Sequence, residues 1–213
     1  MVKLLRLLFF LLIVRLVVLI ILGLRIRHKE RLPVKGPAIL VANHNSHLDT
    51  LVLMSLFPLH LLPFLQPVAA ADYFLANPYL AWFALHIIGI IPVERQEISR
   101  TKDPLAVCAT ALAQGQMLIF YPEGSRGEPE QLSKFKSGIV LLAKSFPSVP
   151  IYPIFLHGLG KSLPRGSFLL VPFFCDVFIG EPIYWTGERR GFMDLLNHRM
   201  ESLAAEENLP AWE

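Results

Sequence analysis

The run Asn43-His44-Asn45-Ser46-His47-Leu48-Asp49 places an imidazole and a carboxylate five residues apart. On one continuous helix, residues at that separation point about 140° away from each other, so His44 and Asp49 meet only if His44 lies in the turn before a helix that carries Asp49. In that layout the two form a candidate catalytic pair. Two other readings use the same residues. Ser46 with Asp49 three positions on, ahead of an apolar run, fits a helix capping box. His44, His47 and Asp49 are also metal-ligand types, although His28, His60, His86, His157 and His198 are scattered singly and supply no second cluster.

Three further blocks carry candidate chemistry. Gly89-Ile90-Ile91-Pro92-Val93-Glu94-Arg95 reads as a strand ending in a charged pair. In Leu118-Ile119-Phe120-Tyr121-Pro122-Glu123-Gly124-Ser125-Arg126-Gly127, an apolar strand stops at proline and presents Glu123, Ser125 and Arg126 beside two glycines that permit close backbone approach. Lys134 and Lys136 follow, adding positive charge that a phosphate would satisfy and a plain turn does not require. Val149 to Ile154 fits a buried strand whose prolines limit its pairing, so packing is its expected role.

The elements that must position these blocks follow from periodicity. Apolar runs of strand length alternate with longer helical ones from Lys35 onward, which predicts an α/β fold with a mixed, largely buried sheet flanked by helices. Strands are expected at 38–42, 66–70, 88–93, 117–121, 150–155 and 170–178, and helices at 48–57, 73–86, 103–114, 136–145 and 191–206. Charged residues gather at the ends of the expected strands, where open α/β sheets bind ligands.

Composition narrows the class. With 213 residues, 54% of them hydrophobic and 17% charged, the chain holds one well-buried domain and leans towards a membrane. Residues 4 to 24 are apolar apart from Arg6, Arg15 and Gly23, and as a helix would extend roughly 31 Å, about the thickness of a bilayer core. Arg15 costs about 3 kcal/mol on insertion scales, less than the gain from the apolar residues around it. The segment is therefore expected to anchor the chain, by spanning or by lying in the interface. We divide the chain into a membrane-anchoring segment at 1–30 and a catalytic domain at 31–213. Arg25, Arg27, Lys29, Arg31 and Lys35 form a basic collar that predicts a cytoplasmic domain and attraction to anionic headgroups. The mild net charge of +3, crowded into the first 35 positions, argues against nucleic acid as a partner. Cys108 and Cys175 lack metal-type spacing and read as two reduced, buried thiols.

In their order and spacing the four blocks resemble the glycerolipid acyltransferase superfamily that includes bacterial 1-acylglycerol-3-phosphate acyltransferases, over roughly residues 35 to 185. The resemblance implies acyl transfer from a thioester, acyl-CoA or acyl-carrier protein, to the hydroxyl of a lysophospholipid, foremost 1-acylglycerol-3-phosphate. No metal and no cofactor beyond the thioester co-substrate are implied. It makes His44 the general base and Asp49 its orienting partner, with Asn43 and Ser46 as supports. Arg95, Glu123, Gly124, Ser125, Arg126 and Lys136 fall to the acceptor, and backbone N–H groups at the start of the helix after His44 to the oxyanion. Membrane lipids are the implied partners and the cell membrane the implied location. Acylation of a different lysolipid, a metal-dependent hydrolase and a noncatalytic membrane scaffold are the competing functions. Tyr121 stands where the superfamily usually has Phe, Ser125 where Thr is commoner, and Gly127 where Ser is commoner. Ala69-Ala70-Ala71-Asp72-Tyr73 lacks a lysine that many relatives carry and use for the headgroup.

Overall fold

A computed structural model describes residues 1–94, 105–127, 132–163 and 171–206. Its centre is a strand whose five residues are all buried, β2 (Ala38–Ala42), paired in parallel with β5 (Met117–Phe120) on one side and β6 (Ile151–His157) on the other. Burial on both faces is why Ala-Ile-Leu-Val-Ala carries no polar alternation. The other strands are β1 (Leu22–Arg27), β3 (Leu65–Ala70), β4 (Ile91–Val93) and β7 (Phe173–Ile179). They form one seven-stranded sheet in the order β1-β7-β6-β2-β5-β3-β4. Every pair is parallel except β6–β7, so the sheet is mixed, as the sequence predicts.

Helices cover both faces. Alternate residues of β2 divide between them: Leu40 and Ala42 join the cluster around Val52, Leu53 and Met54, while Ile39 and Val41 join the one around Ile139, Leu196 and Met200. The first face takes α1 (Val2–Leu8) and α2 (Leu48–Ser55), and near them run α3 (Ala71–Phe74) and α4 (Pro78–Phe83). The second takes α5 (Ala106–Ala113), α6 (Gly138–Ser145) and, after the short α7 (Leu159–Ser162), the long α8 (Arg189–Ala204). All six expected strands are present, within a few residues at their ends. The expected helix at 73–86 is instead three pieces. Asn77 caps α4 by accepting from the N–H groups of Tyr79 and Leu80 at 2.9 and 3.2 Å, and a π-helical turn, Ala84–Ile88, follows. Residues 103 and 104 of the expected helix at 103–114 and residue 170 of the last expected strand lie outside the described residues.

The N-terminal segment departs further from expectation. Residues 2–21 are helical, with π-helical stretches at Phe9–Val14 and Val17–Ile21, but Leu22 turns extended and the chain continues as β1, paired in parallel with β7. Among the described residues no helix is long and apolar enough to cross a membrane. The reason lies in one stripe: Phe10, Val14, Val18 and Leu22 are buried in the first core cluster, and burying each contributes about 1.5–3 kcal/mol. Arg6 donates to the carbonyls of Leu62 and Ile88 at 2.8 and 3.0 Å and lies against Gly89, whose φ of +79° closes the preceding turn. The outward stripe stays apolar and exposed, with Leu4, Leu12, Leu16 and Ile20 each at least half accessible.

Candidate active site

The carboxyl ends of the central strands bring the blocks together. Beyond β2, Asn43 turns its buried amide sideways onto β6, donating to the Leu156 carbonyl at 2.8 Å and accepting from the Leu156 N–H at 2.7 Å. The side chain thus prolongs the sheet pairing by one step and releases the backbone to turn. His44 sits in that turn, and Asp49 lies in the first turn of α2. Nδ1 of His44 is 2.9 Å from Oδ2 of Asp49, the contact the spacing predicts.

Asp49 is fully buried, and the same Oδ2 accepts from the backbone N–H groups of Asn45 at 2.7 Å and Ser46 at 2.9 Å. Beside the pairing, only half of the capping reading is present: Asp49 takes the Ser46 N–H, but the Asp49 N–H goes to the Ser46 carbonyl instead of Oγ, and His47 stands at the N-cap without a side-chain cap bond. Ser46 Oγ accepts from the Leu48 N–H at 3.3 Å and donates to the Leu163 carbonyl at 3.1 Å, tying the turn to the end of α7. Of the N–H groups at this helix start, those of Asn45 and Ser46 serve Asp49, that of Leu48 serves Ser46 Oγ, and that of Asp49 serves the Ser46 carbonyl at 3.4 Å.

The loop after β5 closes over the histidine. Tyr121 stacks on the His44 ring, centroids 4.1 Å apart and planes 20° from parallel, and its hydroxyl meets Thr50 Oγ1 at 2.9 Å. Burial, then the Asp49 charge, holds the Tyr121 phenol well above its usual range, so it stays neutral. Glu123 is buried, and its Oε1 accepts from the His44 backbone N–H at 3.1 Å; burial pushes this carboxyl up. The Gly127 N–H donates to the His44 carbonyl at 2.8 Å, so both backbone groups of His44 are held by the loop. At Gly124 φ is +74°, and a Cβ there would meet Lys136 Nζ at 2.7 Å, which is why glycine stands beneath that lysine.

Sequence-predicted residues otherwise fall as follows. Arg126 does not pair with Glu123 among the described residues; its guanidinium donates to Nε2 of His47 and lies over the Tyr73 ring, 5.9 Å from the centroid. Ser125 is exposed on the same loop, and Arg95 lies outside the described residues. His47 Nε2 is engaged by a cation, so that lone pair is not directed at a metal. Cys108 and Cys175 are free and buried. The sequence reading did not single out Thr50 or, as partners of Arg126, His47 and Tyr73. A tyrosine where Phe is usual was the one signal for the Tyr121–Thr50 bond.

A buried carboxylate orienting a partly exposed histidine, at the carboxyl ends of a mixed α/β sheet and beside a glycine loop with cations, is an arrangement that can do general-base chemistry. Residues 23–157 match the family model described as Acyltransferase, and the chain belongs to that family. It is similar to the chloroplastic 1-acyl-sn-glycerol-3-phosphate acyltransferases BAT2 of Brassica napus (32% identity over 139 residues, 65% of this chain and 38% of the relative) and LPAT1 of Arabidopsis thaliana (33% identity, 65% and 37%). The 1-acyl-sn-glycerol-3-phosphate acyltransferase of Pseudomonas aeruginosa is 27% identical over 190 residues, 88% of this chain and 70% of that one. The chain thus spans about two fifths of the length of the plant relatives. Among solved structures, the 1-acyl-sn-glycerophosphate acyltransferase PlsC of Thermotoga maritima shares the fold, with a TM-score of 0.71 at 19% identity over 90% of this chain and 74% of that one.

Proposed function

We propose that this protein transfers an acyl group from a thioester, acyl-CoA or acyl-carrier protein, to the hydroxyl of 1-acylglycerol-3-phosphate, giving phosphatidate. The observation that carries the reading is the His44–Asp49 contact, with the carboxylate buried and the ring 21% exposed beside the 123–127 loop. With Nδ1 given to Asp49, Nε2 takes the proton of the acceptor hydroxyl as its oxygen attacks the thioester carbonyl. The C–S bond then breaks, and the departing sulfur receives that proton from His44, leaving an ester and a free thiol. Asp49 stabilises the imidazolium in between. Tyr121, neutral and stacked on the ring, keeps the imidazole in plane, and Asn43 and Ser46 fix the turn that carries it.

Arg126 and Lys136, with Arg95, bind the acceptor's phosphate, while Glu123, Gly124 and Ser125 shape the loop against its glycerol. The relatives named above support this assignment of the acceptor. The protein acts at a membrane surface: the exposed leucine stripe of residues 2–21 joins an apolar groove of about 350 Å³ that includes Leu5, Leu12, Trp82 and Phe83, a surface suited to lie in the interface with the acyl chains. The segment 1–30 is the membrane-contacting part and 31–213 the catalytic part, on the cytoplasmic side. Of the basic collar, Arg25 is paired with Asp176 and Arg31 with Glu181, at 2.9 and 2.8 Å, while Arg27, Lys29 and Lys35 are exposed.

The test is transfer of a labelled acyl group into lysophosphatidate by the purified protein in detergent or vesicles. His44→Ala is expected to lose activity by about 10²–10⁴-fold with an unchanged melting midpoint. Robust turnover by that variant, or no transfer to any lysophospholipid by the natural protein, would overturn the proposal.

A further inference from the structure

Residues 69–73, Ala-Ala-Ala-Asp-Tyr, carry no lysine, and their last side chain faces the 123–127 loop. Tyr73, at 47% exposure, presents its ring to Arg126, whose guanidinium carbon stands 5.9 Å from the centroid. His47 closes the other side: its Nε2 accepts from Arg126, and its ring lies 6.3 Å from that of Tyr73. Three segments therefore converge on one guanidinium, from the turn after β2, from α3 and from the loop after β5. An arginine on a glycine loop has many rotamers. One seated on an aromatic face and a fixed acceptor has few, and it retains further N–H donors for a bidentate partner.

We infer that His47 and Tyr73 are positioning residues that hold Arg126 ready for the acceptor's phosphate. The inference rests on the phosphate-binding role proposed for Arg126 above. It has a consequence for pH. His47 serves Arg126 only while Nε2 is unprotonated; a proton there removes the acceptor and sets two cations against each other. The groups facing His47 are Arg126, His44 and Asp49, and burial, then the Arg126 charge, lower its pKa, so the neutral ring persists below the ordinary imidazole range.

The experiment is steady-state acylation of lysophosphatidate and of monoacylglycerol, a phosphate-free acceptor, by Tyr73→Ala, Tyr73→Phe, His47→Leu and His47→Gln, each checked for an unchanged melting midpoint. For lysophosphatidate, KM in Tyr73→Ala and His47→Leu is expected to rise about three- to tenfold with kcat within about twofold. Tyr73→Phe, which keeps the ring face, and His47→Gln, which keeps an acceptor, bring KM back to within about twofold of the natural value. Monoacylglycerol KM stays put in all four. As the pH falls beyond the ordinary imidazole range, KM rises more steeply in the natural protein than in His47→Gln. The phosphate titrates in the same range, so that difference is the readout.

Unchanged lysophosphatidate KM in both truncations, an equal rise for monoacylglycerol, or no recovery in the conservative variants overturns the inference. If the natural protein ignores lysophosphatidate but acylates a phosphodiester lysolipid, the proposed acceptor falls, and the same comparison on that lysolipid decides the role of His47 and Tyr73. Acylation confined to phosphate-free acceptors overturns both.

Discussion

Asp49→Asn separates the two jobs that the structure gives to one carboxylate. Oδ2 accepts from His44 Nδ1 at 2.9 Å and from the N–H groups of Asn45 and Ser46 at 2.7 and 2.9 Å. Asparagine can set its carbonyl oxygen where Oδ2 stands and keep all three contacts, so the turn survives. What it lacks is the charge opposite an imidazolium. At a charge separation of about 4 Å and an effective dielectric of about 20, that attraction is worth about 4 kcal/mol. Placed on the barrier at about 1.36 kcal/mol per decade, its loss predicts a fall in kcat of about 10³-fold. Asp49→Ala removes the acceptor as well and leaves buried N–H groups unpaired at about 1–3 kcal/mol each, so it should lose activity and also melt earlier. The assay pairs single-turnover acyl transfer with thermal melting of both variants. Asp49→Asn activity within about tenfold of the natural protein would show that the carboxylate only closes the turn.

Three further outcomes follow from other parts of the molecule. Arg6→Met keeps the aliphatic stem but drops the bonds to the Leu62 and Ile88 carbonyls; urea denaturation in detergent should show a loss of about 1.5–3 kcal/mol, and a loss under about 0.5 kcal/mol would mean that the apolar stripe alone docks the helix. Burial raises the Glu123 pKa above its unfolded value, so its neutral form stabilises the fold at acid pH and that contribution is lost as pH climbs through the folded pKa. Glu123→Gln should therefore gain in melting midpoint over the natural protein between about pH 4 and pH 7, and a difference that does not vary with pH would count against it. Leu12→Asp combined with Leu16→Asp places two charges on the exposed stripe, and co-sedimentation with anionic vesicles should fall by about tenfold or more at an unchanged melting midpoint; undiminished binding would remove the stripe from the membrane contact.

Sequence legibility followed how local each interaction is. The fully buried β2 and the apolar β5 announced themselves because burial on both faces leaves no polar alternation to confuse them. His44 and Asp49 were legible because a turn preceding a helix is the one local geometry that unites residues at that spacing. Tyr73 reaching Arg126 was not, since it depends on where the strand order sets α3 relative to the β5 loop. The packing of the N-terminal segment was less legible for a related reason. Hydropathy counts leucines without asking which face they occupy, and in residues 2–21 both faces are apolar: one packs on Val52 and its neighbours, the other is exposed. Arg6 was the cue, since a charge in an apolar run needs a partner, and here the partner is backbone from residues 62 and 88.

The arrangement of Asp49 also explains why the capping box and the catalytic pair were hard to tell apart from residue types. A carboxylate fully buried beside a histidine ring has to be solvated by something, and the N–H groups of its own helix start are the nearest donors. Those donors hold Oδ2 in the place where it can receive the His44 Nδ1–H, so the cap is the means by which the pair is aimed.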